Sequence, residues 1–173
     1  MELGFETIGN ATLVVHDGGP VLATDPWVQG SAYFGSWGLS HEIPAEQAAA
    51  IRAVGAVWFS HGHPDHLNPD SLPLFHDTRI LLPDHVGGRI AGDLARDGYR
   101  VEVLADQTWV RISDRVRVLC IADENQDAVL LVDVDGRLVV DLNDAQDRGW
   151  GPLVKRVIRA FPRSVLLLSL IHI

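Results

Sequence analysis

The sequence predicts an α/β protein built as a four-layer αββα sandwich, with two sheets face to face and helices outside. Three observations predict it. The chain opens with three short strands joined by hairpin turns, and its middle alternates helix and strand. From Trp109 onward it returns to strands, then closes on a helix and an apolar strand. With 173 residues, 47% hydrophobic and 21% charged, it is long enough for one domain with a substantial core, read as residues 1–167.

The opening strands are predicted at Leu3 to Ile8, Thr12 to His16 and Val21 to Thr24. Gly9-Asn10 and Asp17-Gly18-Gly19-Pro20 supply the turns between them. His16, ending a strand beside a turn, reads as a surface residue. The stretch from Thr24 to Gly38 is dense in aromatics and glycine but has little periodicity. A loop this long in a compact domain is usually functional or disordered, and its aromatics argue against disorder, so it reads as the wall of a substrate pocket.

Pro44 to Val54 predicts a helix, with proline early, Glu46 in the first turn and Gly55 just past the end. His41 before it either caps that helix or reaches the pocket. Asp70 to Phe75 predicts a short helix, Arg79 to Leu82 a strand, His85 to Asp97 a helix stopped by Gly98, and Arg100 to Leu104 a strand. His76 and His85, at element edges, read as structural. The second β block is predicted at Trp109 to Ile112, Arg115 to Ile121, Ala128 to Val134 and Leu138 to Leu142, with Asp135-Gly136 turning the last hairpin. A helix from Pro152 to Ala160 and a strand from Ser164 to Leu168 follow. Cys120, the one cysteine, lies in an apolar run and reads as a small core residue, which leaves no disulfide framework within the chain.

The chemistry concentrates after Ala56-Val57-Trp58-Phe59. That apolar run reads as a buried strand, and Pro64 forbids its continuation. Three of the eight histidines and one carboxylate fall in the loop that follows, spaced H-x-H-x-D-H: His61, His63, Asp65 and His66. Imidazole nitrogens and carboxylate oxygens are what zinc, iron or manganese take at roughly 2.0 to 2.2 Å. His61 and His63 point the same way on an extended backbone, while Asp65 and His66 lie past the proline and face a second point. One loop can thus serve two neighbouring ions; the plainer alternative is a His-rich surface loop.

Charge narrows the partners. A net charge of −9 without a Lys/Arg cluster counts against nucleic acid without removing it, and a small-molecule substrate is expected. No apolar run approaches the ~20 residues of a membrane span, and the N-terminus lacks a signal pattern, so a soluble, cytoplasmic protein is expected.

At His61, His63, Asp65 and His66 the chain resembles the metallo-β-lactamase superfamily of metal-dependent hydrolases, whose signature loop is H-x-H-x-D-H. The resemblance implies the αββα fold and two divalent ions, zinc first, with manganese or iron as alternatives. It puts His61 and His63 on one ion and Asp65 and His66 on the other, with Asp65 also orienting the nucleophile as the catalytic residue. It implies that Asp25 hydrogen-bonds a ligand histidine, although a turn aspartate before Pro26 reads similarly. Asp144 stands where a bridging carboxylate falls in the family, with Asp141 as the alternative.

A third histidine, expected in the family ahead of the last hairpin, is missing. Ile121-Ala122-Asp123-Glu124-Asn125-Gln126-Asp127 stands there instead. Either Asp123 replaces it, which favours manganese or iron, or the first ion is weakly held or absent. The runs Thr24 to Phe34, Ser36-Trp37 and Leu142-Asn143-Asp144 are similar to the CMP-N-acetylneuraminate hydroxylase-like branch, and more distantly to ascorbate-6-phosphate lactonases and N-acylphosphatidylethanolamine phospholipase D.

The implied activity is hydrolysis of an ester, lactone, amide or phosphoester by a metal-activated hydroxide. The alternatives are an iron-dependent oxygenase or redox protein of the same fold, and a degenerate metal-binding module. Leu168 to Ile173 ends abruptly and matches what a transposon-end sequencing adapter encodes. That tail reads as non-native, the domain as incomplete at its C-terminus, and His172 as no ligand.

Overall fold

The computed structural model describes residues 2–124 and 126–167. The proposed tail at 168–173, with His172 and the last residue of the final predicted strand, lies outside the described residues. In chain order the elements are β1 (Leu3–Ile8), β2 (Thr12–Asp17), β3 (Pro20–Thr24), β4 (Ser31–Ala32), β5 (Trp37–Gly38), α1 (Ala45–Arg52), β6 (Ala56–Trp58), β7 (Arg79–Pro83), α2 (Arg89–Arg96), β8 (Arg100–Leu104), β9 (Trp109–Arg111), β10 (Val116–Ala122), β11 (Ala128–Val134), β12 (Arg137–Asp141), α3 (Gly151–Arg159) and β13 (Arg163–Leu167).

The first sheet runs β1-β2-β3-β6-β7-β8, antiparallel up to β3 and parallel beyond it. The second runs β13-β12-β11-β10-β9 and is antiparallel except where β13 joins β12. Period-two alternation divides the apolar residues among three cores. Leu13, Val15, Trp58 and Leu81 of the first sheet meet Val118, Cys120, Leu130 and Val132 of the second in the central core. The alternate positions Val14, Val57 and Ile80 lie with Ala48 and Ile51 of α1 and Leu94 of α2. Leu119, Leu131 and Val140 lie with Val154 of α3 on the opposite outer face. Strands covered on both faces read as continuous apolar runs, which is why β11 is buried at every position. The fold is the predicted αββα arrangement.

Several local expectations are corrected. The helix predicted from His85 begins at Arg89, because Gly87 (φ 86°) and Gly88 (φ 54°) hold the chain in left-handed conformations that a helix excludes. The segment before β7 forms only a 3₁₀ turn, Leu72–Phe75, and the long aromatic loop contains the small β4–β5 hairpin. His16 is buried, 4% exposed, with Nε2 2.9 Å from Glu6 Oε1 on the neighbouring strand. Cys120 sits in the core, and burial pushes its thiol up to about 12. Among the described residues no helix is long and apolar enough to cross a membrane.

Candidate metal centre

The parallel strands β3, β6 and β7 end at the same edge of the sandwich, where α/β sheets present their binding loops. Asp25 follows β3, and the histidine loop follows β6. That loop is closed by backbone bonds from His66 N and Leu67 N to His63 O, at 3.0 and 2.8 Å. Asn68 fixes it further: its amide donates to Pro64 O and Ser31 O, and its Oδ1 accepts from the backbone of Asp70 and Ser71. Asn10 donates to the Asp65 carbonyl at 3.0 Å, tying the β1–β2 turn to the same loop.

The side chains converge. His61 Nε2 lies 2.7 Å from His63 Nδ1 and 3.8 Å from Asp144 Oδ2. The same Asp144 oxygen lies 3.3 Å from His66 Nε2, which is 3.7 Å from Asp65 Oδ2. Ligand atoms of His61, His63 and Asp144 all fall within 4.8 Å of one another. Two clusters therefore share one carboxylate, His61 with His63 on one side and Asp65 with His66 on the other. Asp65 Oδ2 is buried and makes no hydrogen bond among the described residues. A buried carboxylate oxygen facing an imidazole nitrogen without a bonded proton between them fits a site for a cation.

Hydrogen bonds behind the ring nitrogens decide which nitrogen faces this focus. Asp25 Oδ1 accepts from Ser60 N at 2.7 Å, and its Oδ2 accepts from the Ser60 hydroxyl at 2.6 Å and from His66 Nδ1 at 2.9 Å. The Ser60 hydroxyl has then spent its proton, so its oxygen, 2.9 Å from His61 Nδ1, accepts from that ring. Both His61 and His66 carry Nδ1–H and turn Nε2 toward the centre. Asp25 holds a left-handed backbone (φ 40°), anchored by its N–H to Trp58 O at 2.8 Å and by the Thr12 hydroxyl on its carbonyl at 3.0 Å. Strain of this kind persists only where surrounding bonds over-determine it.

The two buried rings titrate in opposite directions. Burial and the neighbouring His66 push His61 down to about 4. Burial also opposes charge on His66, but the carboxylates of Asp25 and Asp144 outweigh it and hold the ring up at about 10. Asp141, weighed earlier as the bridging group, faces the other way: the Thr24 hydroxyl donates to its Oδ2 at 3.0 Å. Burial, then the charge of Asp25, pushes it up to about 7.

Two residues near the centre were not picked out from the sequence. Tyr33 donates its hydroxyl to Asp65 Oδ1 at 2.8 Å, from the aromatic loop expected to wall a pocket; burial first, then Asp65, pushes its pKa up and keeps the phenol neutral. Asp127 Oδ1 lies 3.9 Å from His61 Nδ1, and burial followed by the charges of Asp123 and Asp144 raises its carboxyl. Asp123 Oδ1 accepts the Asp127 N–H at 3.2 Å and so braces the β10–β11 turn. The run of carboxylates after β10 was the available signal for Asp127; which member faces His61 depends on how that turn closes. His85, read as structural, reaches across from the end of β7 with Nε2 2.8 Å from Asp127 O.

No protein-family model matches the chain. It is similar to a cytidine monophosphate-N-acetylneuraminic acid hydroxylase of Asterias rubens, 27% identical over 153 residues, covering 83% of this chain and 23% of the relative. The chain thus spans about a quarter of the length of that relative. Among solved structures, an isothiocyanate hydrolase from Delia radicum gut bacteria superposes with a TM-score of 0.67 at 18% identity, covering 95% of this chain and 70% of that one. CmlA, a diiron β-hydroxylase from Streptomyces venezuelae, superposes with a TM-score of 0.63 at 16% identity, covering 89% and 32%. Igni18, a metallo hydrolase from Ignicoccus hospitalis, gives 0.53 at 16% identity, covering 80% and 59%. These structural likenesses are likenesses of fold. Taken with the sequence relatives, they show a metallo hydrolase type of fold in a chain similar in sequence to the cytidine monophosphate-N-acetylneuraminic acid hydroxylases.

Proposed function

We propose that this edge of the sandwich holds two divalent ions in a metal-dependent enzyme, and that the ions are iron serving oxidation of a small molecule. His61 and His63 would hold one ion and Asp65 and His66 the other, with Asp144 between them and Asp127 standing behind His61 at its Nδ1 edge. The observation that carries the reading is that no third imidazole joins His61 and His63 among the described residues, and the donor that converges with them is the carboxylate of Asp144. Two histidines with one carboxylate is the donor set of non-haem iron oxygenases, and added carboxylate oxygens favour harder ions than zinc. The similarity to a hydroxylase in sequence, and to a protein described as a diiron hydroxylase in fold, supports it.

Bound there, iron would supply activation of dioxygen, whereas zinc would supply acidified water for hydrolysis. The protein's own contribution is orientation. Asp25 and Ser60 hold the Nδ1 protons of His66 and His61, so both rings turn Nε2 toward the centre, and His66 would give up its Nε2 proton to a cation. Asp144, 8% exposed at its side chain, supplies a carboxylate that either cluster can use.

Hydrolysis is the second reading, favoured by the shared carboxylate, which suits any pair of ions that must act on one water. Metal analysis of the protein produced in iron- and zinc-supplemented medium, with its visible spectrum, separates the two. Iron near two per chain with absorption in the visible supports the oxygenase reading. Colourless protein holding two zinc ions and cleaving a generic ester overturns it in favour of hydrolysis.

A further inference from the structure

The turn that carries Tyr33 is strained and tightly held. Tyr33 (φ 49°) and Phe34 (φ 58°) both occupy the left-handed region, which costs bulky side chains on the order of 1 kcal/mol or more each. The clasp that offsets this comes from one place, residues 68–71 at the end of the histidine loop. Ser71 Oγ accepts from Val28 N and Gln29 N at 2.9 and 3.1 Å, Asp70 Oδ2 accepts from Ser31 N at 3.2 Å, and Asn68 donates to Ser31 O at 3.1 Å. Gly30 (φ 77°) makes the approach possible, because a Cβ there would stand 2.0 Å from Asp70 Oδ2. The β4–β5 pairing and the edge contact of Tyr33 on Trp37, centroids 4.7 Å apart, complete the mount.

All of this aims one hydroxyl at one oxygen. Asp65 has two carboxylate oxygens: Oδ2 faces His66, and Oδ1 receives the Tyr33 proton. We infer that Tyr33 is a positioning residue of the centre, whose phenol occupies Asp65 Oδ1 and so commits Asp65 to offering a cation Oδ2 alone. The inference rests on the dinuclear reading above. A carboxylate held to one donor atom would take up one fewer position on a bound cation than one that uses both oxygens.

Cobalt(II) tests it, since its visible bands weaken as coordination number rises and the readout needs no substrate. In Tyr33→Phe the ring and its contact with Trp37 remain, but Oδ1 is released to bind as well. The expected result is a weaker cobalt spectrum and about tenfold lower affinity, the lower end of what loss of an outer hydrogen bond costs a metal site. Phe34→Ala, on the same turn but fully exposed, should leave spectrum and affinity as in the wild type. Equal spectra and affinities for wild type and Tyr33→Phe would overturn the inference while leaving the centre intact, as would an equal disturbance by Phe34→Ala. A wild-type chain that takes up no cobalt would overturn the dinuclear reading and this inference together.

Discussion

Asp25 Oδ2 stands 2.9 Å from His66 Nδ1, with both side chains wholly out of contact with solvent. The carboxylate also takes the N–H and hydroxyl of Ser60, so one acid sets the ring orientation of two histidines. Asp25→Asn keeps the shape and tolerates the left-handed backbone, but must turn an N–H toward a donor. Metal affinity should fall roughly 10- to 100-fold, read by competition against a chelator, while the chain remains folded.

His63 is exposed, and its ring contributes a nitrogen to the centre without supporting the core. His63→Ala should therefore abolish loading of one ion and turnover, yet change the stability of the metal-free chain by no more than about 0.5 kcal/mol. Stoichiometry by elemental analysis and thermal melting of the same sample check both halves. Full loading in that variant would remove His63 from the ligand set.

Asp127 and Asp123 separate by role. Asp127→Ala should lower metal affinity at the His61 cluster, since the carboxylate beside His61 Nδ1 is gone. Asp123→Ala removes the brace on the Asp127 N–H, and should lower affinity by a smaller factor with two ions still bound at saturation. The reverse ranking would restore the assignment first made from sequence.

Asp141 gives a pH dependence with a definite sign. Its folded-state value of about 7 lies above the ordinary 3.8, because burial and Asp25 disfavour its charge. Below about pH 4 it is protonated in folded and unfolded chains alike and its effect is fully favourable. As pH rises toward 7 the unfolded chain releases the proton first, so the folded state loses stability, and the loss is complete above 7. Asp141→Asn should raise the melting temperature of the metal-free chain by several degrees at pH 8 and leave it nearly unchanged at pH 4.

Gly30→Ala probes the clasp. The added methyl collides with Asp70 Oδ2 and the residue must hold φ 77°, so both close approach and backbone oppose it. A loss of more than about 1 kcal/mol is expected, with faster hydrogen exchange confined to the aromatic turn and the 68–71 segment.

What the sequence by itself determined is what short-range pattern encodes. Apolar runs at β10, β11 and β12 wrote buried strands, Asp135-Gly136 wrote the hairpin between the last two, and Pro64 stopped the strand ahead of His61, His63, Asp65 and His66. Each depends on neighbours within a few residues, and each stands in the structure close to where it was read. Long-range partners were decided only by tertiary structure. Asp25 meets His66 across 41 residues, Tyr33 meets Asp65 across 32, and Thr24 meets Asp141 across 117, joining the two sheets.

Several aspartates near the ends of β10 and β12 were chemically equivalent as text. The alignment of two sheets at one edge sent Asp144 toward the histidines, turned Asp141 toward Thr24, and left Asp127 beside His61 with Asp123 beneath it. His16 shows the same limit, since a strand-end histidine is exposed or buried according to which neighbour, here Glu6, covers it. Period and turn chemistry are local properties of the chain, whereas convergence of donors on one point is set by strand register and sheet packing, which no single segment carries.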